Sequence, residues 1–318
     1  MEPSTISIKG LSKRFGKNHV LRDVELQIPA GCVYALLGEN GAGKTTLIRI
    51  LMGYVKPNSG SVSVLGISPQ NDPFALRRRV GYVSDLPGLY EWMTVKQIAW
   101  FCSAFFSSSY SEHFARWATQ FDLPQDTRIR HLSKGMRAKT ALALVLASDP
   151  ELLVFDEPTS GLDPLVRKEF LRSMVDLAAQ GKTVLLSSHQ VQEVERVADH
   201  VAILHNGKIA LDGGLEQLKD TVCLLRFSMR DPLASPPATV LNLNSIHCEI
   251  IGRTIQMAVR HLTPEVLEQI KSEPELTDVQ WIRPSLEELF ILCTRESQAP
   301  PWQQPWNSKS PGGELLRA

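Results

Sequence analysis

The chain has 318 residues, 43% of them hydrophobic and 21% charged, so it can bury a substantial core, and we expect one large domain and a smaller one. Its 34 basic and 34 acidic side chains balance, which gives no overall positive charge for binding a nucleic-acid backbone or an anionic membrane, and no nucleic-acid partner is predicted. The longest unbroken apolar run, ALALVLA at 141–147, is too short to cross a bilayer, and the polar stretch MEPSTISIKG does not resemble a signal peptide. We therefore expect a cytoplasmic globular protein.

The first elements pass from an alternating pattern to a buried strand, a glycine loop and a helix. The first 30 residues alternate apolar and polar positions, as strands with one solvated face do. CVYALLG at 32–38 is a short apolar run that ends in glycine, and the residues after it have helical spacing at Leu47, Ile50 and Leu51. Between strand and helix, GENGAGKT at 38–45 fits the phosphate-binding loop pattern G-x-x-x-x-G-K-[ST].

Each residue type in this loop has a chemical reason. Glycines let backbone N–H groups turn toward phosphates, and the helix N-terminus adds the positive end of its dipole. Lys44 is expected to reach the β and γ phosphates of ATP, and the Thr45 hydroxyl to bind Mg²⁺. A glycine-rich turn with a chance lysine is the alternative, which the flanking strand and helix disfavour. The predicted ATP-binding residues here are Gly38, Glu39, Asn40, Gly41, Ala42, Gly43, Lys44, Thr45 and Thr46.

The middle of the chain has the pattern of helices followed by buried strands. Residues 94–121 have a helical and strongly aromatic pattern, and GMRAKTALALVLA at 135–147 is a second helix with Ser133 as its N-cap. ELLVFDEP at 151–158 and TVLLSSH at 183–189 are near-continuous apolar runs, which are typical of central parallel strands covered on both faces. Helices between them complete a doubly wound α/β core.

Two acidic residues end the first of these strands. Asp156 stands at the carboxyl end, where open α/β sheets bind ligands, and is expected to hold Mg²⁺ through a water. Glu157 is the candidate base that polarises the attacking water. Solvated acids at a helix N-terminus are the alternative, which the loop at 38–45 disfavours.

Further motifs follow a fixed order along the chain. KRFG contains Phe15, and LSKGM at 132–136 contains Ser133, which lies 23 residues before Asp156. SGLD follows at 160–163, and His189 is the last residue of TVLLSSH. With these motifs the chain resembles the nucleotide-binding subunit of an ABC transporter from residue 4 to about 218. The resemblance implies a P-loop NTPase of the ABC type, with a parallel-sheet core, an N-terminal antiparallel β subdomain and a helical subdomain at about 86–148.

The resemblance also implies roles for individual residues. Phe15 would stack on adenine, and His189 would sense the γ-phosphate and act with Lys44 and Glu157 in catalysis. The signature residues Ser133 and Gly135 would contact the γ-phosphate bound by another subunit. Asp163 would lie beside the nucleotide in the D-loop, which is the SGLD segment at 160–163. A core phenylalanine and a satisfied hydrogen-bonding histidine are the ordinary alternatives.

Three positions depart from the family pattern. Lys134 and Met136 replace the first glycine and the glutamine of L-S-G-G-Q, changes that bear on turnover more than on binding. Asp85 in GYVSDLPGLYEW stands where the family usually has a glutamine whose oxygen meets Mg²⁺. A carboxylate suits Mg²⁺ but is one methylene shorter, so Asp85 is either a metal ligand that engages on closure or a turn-forming residue.

The C-terminal part has weaker patterns. CLLRFSM, HCEIIG and TIQMAV are typical of strands, and TPEVLEQIK and SLEELFILC of short helices, so residues 219–296 are expected to form a small α+β appendage. Residues 297–318 are rich in Pro, Gly, Ser and Gln and are expected to be a disordered tail; a docking motif at Trp302 and Trp306 is the alternative.

The resemblance finally implies partners. Two subunits, identical or different, would pack head to tail, and their ATP-driven closure would power a separate polytopic membrane permease on the inner face of the cell membrane. The C-terminal region, which ends in PSLEELF, resembles that of exporter ATPases, including those for drugs, so export is expected. The alternatives are a soluble ABC ATPase outside transport, and a regulatory module that binds ATP with weak hydrolysis.

Overall fold

The computed structural model describes residues 4–85, 87–231, 235–251 and 253–294, which form two compact units; the sequence divides between them after Leu215. The predicted tail at 297–318, including Trp302 and Trp306, lies outside the described residues. Among the described residues, no helix is both long and apolar enough to span a membrane.

An antiparallel sheet opens the first unit. Its strands are β1 (Ser4–Phe15), β2 (Asn18–Pro29) and, after β3 (Val33–Leu37) and α1 (Lys44–Leu51), β4 (Ser59–Val64), in the order β2-β1-β4. Their alternating apolar side chains, such as Ile6, Ile8 and Leu26, are buried in the core shared with α1. The alternation predicted from the sequence is therefore confirmed.

A six-stranded sheet forms the centre of this unit. Besides β3 it contains β5 (Val80–Val83), β6 (Leu152–Asp156), β7 (Thr183–Ser188), β8 (His200–His205) and β9 (Lys208–Gly214), in the order β5-β6-β7-β3-β8-β9. It is parallel except that β9 runs antiparallel to β8. Every residue of β3, β6 and β7 is buried, as the continuous apolar runs predicted. Because these strands are parallel, their carboxyl ends bring residues 38, 156 and 189 to one edge of the sheet.

The helices that follow α1 in the first unit are α2 (Pro73–Arg79), α3 (Val95–Ser103), α4 (Tyr110–Gln120), α5 (Lys134–Leu146), α6 (Pro164–Ala179) and α7 (Val191–Val194). Among them, α3, α4 and α5 share a hydrophobic core of their own. The predicted helix at 94–121 is two helices, because the serine-rich stretch 104–109 interrupts it. Thr94 opens α3 with a capping box, and Ser133 caps α5 by accepting from Met136 N–H, as predicted.

The second unit is a four-stranded antiparallel sheet with helices. The elements are α8 (Leu215–Thr221), which begins at the boundary, β10 (Val222–Met229), α9 (Ala238–Leu241), β11 (Ser245–Ile251), β12 (Thr254–Arg260), α10 (Pro264–Ser272), β13 (Leu276–Ile282) and α11 (Leu286–Thr294). The strand order, β11-β12-β10-β13, and the βαββαβ chain order give the split β-α-β arrangement of ferredoxin-like domains. The core of this unit contains Leu225, Phe227, Met257 and Ile270.

Candidate nucleotide-binding site

The glycines of the loop at 38–45 are required by its backbone. Gly41 and Gly43 have φ of 85° and 112°, which favour glycine. A Cβ on Gly38 would lie 2.5 Å from the carbonyl oxygen of Leu204, and one on Gly43 would lie 2.9 Å from Leu21 Cδ2. A Cβ on Gly41 would meet nothing within 4 Å. The loop therefore packs tightly against β8 at Gly38 and against β2 at Gly43, and it is open at Gly41.

Lys44 is a buried cation at the start of α1. It is 5% exposed, and its Nζ donates to the carbonyl oxygens of Gly38 at 2.6 Å and Glu39 at 3.2 Å. The same Nζ lies 3.0 Å from Glu157 Oε1. The loop thus holds its only lysine against its own backbone and beside a carboxylate.

Asp156 lies among hydroxyl groups at the end of β6. It is 4% exposed, and its Oδ1 accepts from Thr45 Oγ1 at 3.2 Å and from Ser187 Oγ at 2.7 Å. Asp156 and Ser187 are also paired in register across β6 and β7. Strand pairing therefore places the acid beside Ser187, and its hydrogen bond with Thr45 links it to the first turn of α1.

Glu157 has an unusual backbone and two close side-chain neighbours. Its φ is 52°, and its N–H donates to the Ser187 carbonyl oxygen at 3.2 Å and to Ser187 Oγ at 3.1 Å. Its Oε2 is hydrogen-bonded to His189 Nδ1 at 2.8 Å. Its buried Oε1 forms an ion pair with Lys44 but makes no aligned hydrogen bond within the described part of the chain.

This donor set fits a magnesium-bound triphosphate. The Thr45 hydroxyl oxygen and the Asp156 carboxylate oxygen lie 3.2 Å apart, and both are hard oxygens of the kind that hold Mg²⁺, directly or through a water. Lys44 supplies the cation for phosphate oxygens, and Glu157 Oε1 can accept a further hydrogen bond. The structure brings together the predicted residues Lys44, Thr45, Asp156, Glu157 and His189.

Other predicted residues lie elsewhere in the first unit. Phe15 is 51% exposed, with Lys13 Nζ 4.8 Å from its ring centroid. In the described residues, the hydrogen bonds of Ser133 and Asp163 stay within α5 and α6, of which each is the N-cap. A Cβ on Gly135 would lie 3.1 Å from Val166 Cγ1 of α6. These residues therefore do not join the loop at 38–45 within one chain.

Asp85 lies on a cavity of about 360 Å³ with Lys134 and Arg137, two residues after the end of β5. Lys134 extends over the D-loop, since a Cβ on Gly161 would lie 2.5 Å from its Nζ. Two of the three departures from the family pattern, Asp85 and Lys134, thus line one cavity. The metal and turn interpretations of Asp85 both remain predictions.

Ser187 is not among the site residues predicted from the sequence. Its only signal was its place in TVLLSSH, two residues before His189, and nothing in the sequence distinguished it from Ser188. Strand register distinguishes them, because Ser187 contacts both acids while Ser188 Oγ accepts from Gln190 N–H.

The fold and the site together define a P-loop ATPase, and comparison with known proteins identifies its family. The ABC transporter family matches residues 21–160. The chain is similar to Nod factor export ATP-binding protein I of Burkholderia orbicola, 31% identical over 94% of this chain and 100% of that protein. It is 29% identical to daunorubicin resistance ATP-binding protein DrrA3 of Streptomyces coeruleorubidus over 94% of this chain and 98% of the relative. A solved ATP-binding subunit of an ABC transporter is 31% identical, with a TM-score of 0.63 over 68% of this chain and 92% of that one.

The chain belongs to the ABC transporter family as an ATP-binding subunit. Members of this family hydrolyse ATP to drive transport, and this chain is such an ATPase. The family and fold class predicted from the motifs are therefore confirmed.

Proposed function

We propose that residues 38–46 bind the phosphates of ATP with Mg²⁺ and that Glu157 directs its hydrolysis. The contact of Lys44 with Glu157, beside the Thr45 and Asp156 pair, carries this proposal. Lys44 would exchange its contact with the loop carbonyls for phosphate oxygens, which suit an ammonium better. Thr45 and Asp156 would hold Mg²⁺, with Asp156 acting through a water, and Mg²⁺ would neutralise charge on the phosphates.

Glu157 and His189 would act together on the attacking water. Glu157 accepts the water's proton, and its carboxylate is oriented by His189 Nδ1 at 2.8 Å and by Lys44 at 3.0 Å. His189 is 39% exposed at its side chain, so it also faces the space beyond the two acids, where it would contact the γ-phosphate.

A second subunit, identical or different, would complete the site. Ser133 and Gly135 at the start of α5, together with Asp163, would face the nucleotide bound by the partner, and Phe15 would stack on adenine. The exposure of Phe15 supports this role, because an aromatic ring on the surface leaves a face for a base. Asp85 would join the metal when the subunits close.

We further propose that the chain powers export through a separate polytopic permease at the inner face of the cell membrane. Two relatives that align with 94% of the chain are named for Nod factor export and daunorubicin resistance. Both alignments extend into the second unit. Residues 1–218 would form the ATP-binding domain, with its helical subdomain at about 86–148, and residues 219–296 the accessory domain. Exposed aromatic side chains at Tyr90, Trp92 and Trp100 offer an apolar surface for permease contact.

Purification of the tagged chain from membranes tests this assignment. A polytopic membrane protein should co-purify with it, and MgATP hydrolysis should be measurable in the complex. A chain that purifies alone and hydrolyses ATP at full rate would instead be a soluble ATPase. A complex that binds ATP without turnover would be a regulatory module. Lys134 and Asp85 are the departures from the family pattern that would account for such a loss of turnover.

A further inference from the structure

One buried hydroxyl group contacts both acidic residues of the site. Ser187 has no exposed surface and lies near the carboxyl end of β7. Its Oγ donates to Asp156 Oδ1 at 2.7 Å and accepts from the N–H of Glu157 at 3.1 Å. A serine hydroxyl has one hydrogen to donate and two lone pairs, so it can make both bonds at once.

The backbone of Glu157 needs such support. A φ of 52° is in the left-handed region, which is unfavourable for a residue with a side chain. Both acceptors of its N–H belong to Ser187, whose carbonyl oxygen lies at 3.2 Å and whose Oγ lies at 3.1 Å. This conformation in turn directs the carboxylate toward His189 and Lys44.

The same hydroxyl group restrains the neighbouring acid. Asp156 Oδ1 accepts from both Ser187 and Thr45, so the two hydroxyl groups fix the orientation of one carboxylate. Without Ser187, the longer bond from Thr45 alone would restrain rotation of the carboxylate about its broad χ2 torsion.

We propose that Ser187 is a positioning residue for ATP hydrolysis. Its hydroxyl group fixes Asp156 toward Thr45 and the divalent cation, and fixes Glu157 for proton abstraction. The inference rests on the proposed function and adds a residue to the same site. Ser187 acts through the two acids, in the way that partners of metal ligands tune a metal site.

Two pairs of variants of the full-length chain isolate the hydroxyl group. Ser187→Ala removes it by truncation, whereas Ser187→Thr and Ser187→Val have the same shape and differ in that group. Ser188→Ala is the matched control, because Ser188 is 2% exposed on the same strand but its Oγ accepts from Gln190 N–H.

The measurements are steady-state ATPase with MgATP, fluorescent ATP-analogue binding in EDTA and across a Mg²⁺ titration, and thermal unfolding. Ser187→Ala and Ser187→Val should lower kcat about 10- to 100-fold with little change in KM. Mg²⁺ increases the affinity for the nucleotide, and both variants should need a higher Mg²⁺ concentration to reach half of that increase. Binding in EDTA should not change. Ser187→Thr and Ser188→Ala should behave like the parent chain.

Equal kcat and Mg²⁺ dependence in the Thr and Val variants would overturn the inference, as would an equal loss in Ser188→Ala. Lys44→Ala tests the proposed function separately. Loss of ATP binding in Lys44→Ala, together with parental behaviour in Ser187→Ala, would refute the role of Ser187 alone. Retained binding in Lys44→Ala would refute the proposed function itself.

Discussion

Replacing Glu157 with glutamine should stop ATP turnover while ATP binding is preserved. The change keeps the size of the side chain but removes the oxygen that accepts a proton from water. Positioned general bases contribute about 10²–10⁴-fold to rate, or roughly 3–5.5 kcal/mol of barrier, and we expect a loss of kcat in that range.

ATP affinity should stay equal or rise, and the structure gives the reason. Glu157 Oε1 is 3.0 Å from Lys44 Nζ, and the two side chains are 16% and 6% exposed, so the carboxylate competes with phosphate for a largely buried cation. A neutral amide attracts Lys44 less strongly, which leaves the ammonium for the γ-phosphate. With turnover blocked, the ATP-bound closed dimer should accumulate.

Single-turnover hydrolysis, equilibrium ATP binding and sizing with MgATP measure these three effects. Glu169→Gln is the control, because Glu169 forms an ion pair with Lys139 at 2.7 Å on an exposed side chain outside the site. Turnover of Glu157→Gln within about threefold of the parent would contradict the assignment of the base, since general-base loss is at least about 10²-fold. A variant that stays monomeric under saturating ATP, while the parent chain dimerises, would contradict the shared site.

Three further predictions concern the other parts of the site. Lys44→Ala should weaken ATP binding at least about 100-fold in equilibrium titrations, because two charge-assisted contacts of about 1.5–3 kcal/mol each are lost. Ser133→Arg should leave ATP binding to the monomer unchanged but prevent dimer closure in the Glu157→Gln background, as measured by sizing or cross-linking, because the larger side chain meets the γ-phosphate of the opposite site. Asp85→Asn should raise the Mg²⁺ concentration for half-maximal ATPase without changing the Tm of the nucleotide-free chain; an unchanged Mg²⁺ dependence with a lower Tm would identify a turn residue.

Local patterns predicted much of this fold because the residues that set each element are adjacent in the sequence. The continuous apolar runs at 152–156 and 183–188 became fully buried strands, and the Ser133 cap is present. Strand β13 gave no such signal. Its alternation is broken where Asp278 has φ of 55°, beside a register shift against β10.

The arrangement around the two acids depends on strand register, which a local pattern does not contain. Asp156 pairs with Ser187 across β6 and β7, whose sequences are separated by helix α6. Successive side chains of a strand point to opposite faces, so a slip of one residue would place Ser188 where Ser187 now holds both acids. The sequence TVLLSSH does not distinguish Ser187 from Ser188, whereas the pairing of β6 with β7 places Ser187 opposite Asp156. The left-handed conformation of Glu157 depends on the same register, because both acceptors of its N–H belong to Ser187, the serine paired with Asp156.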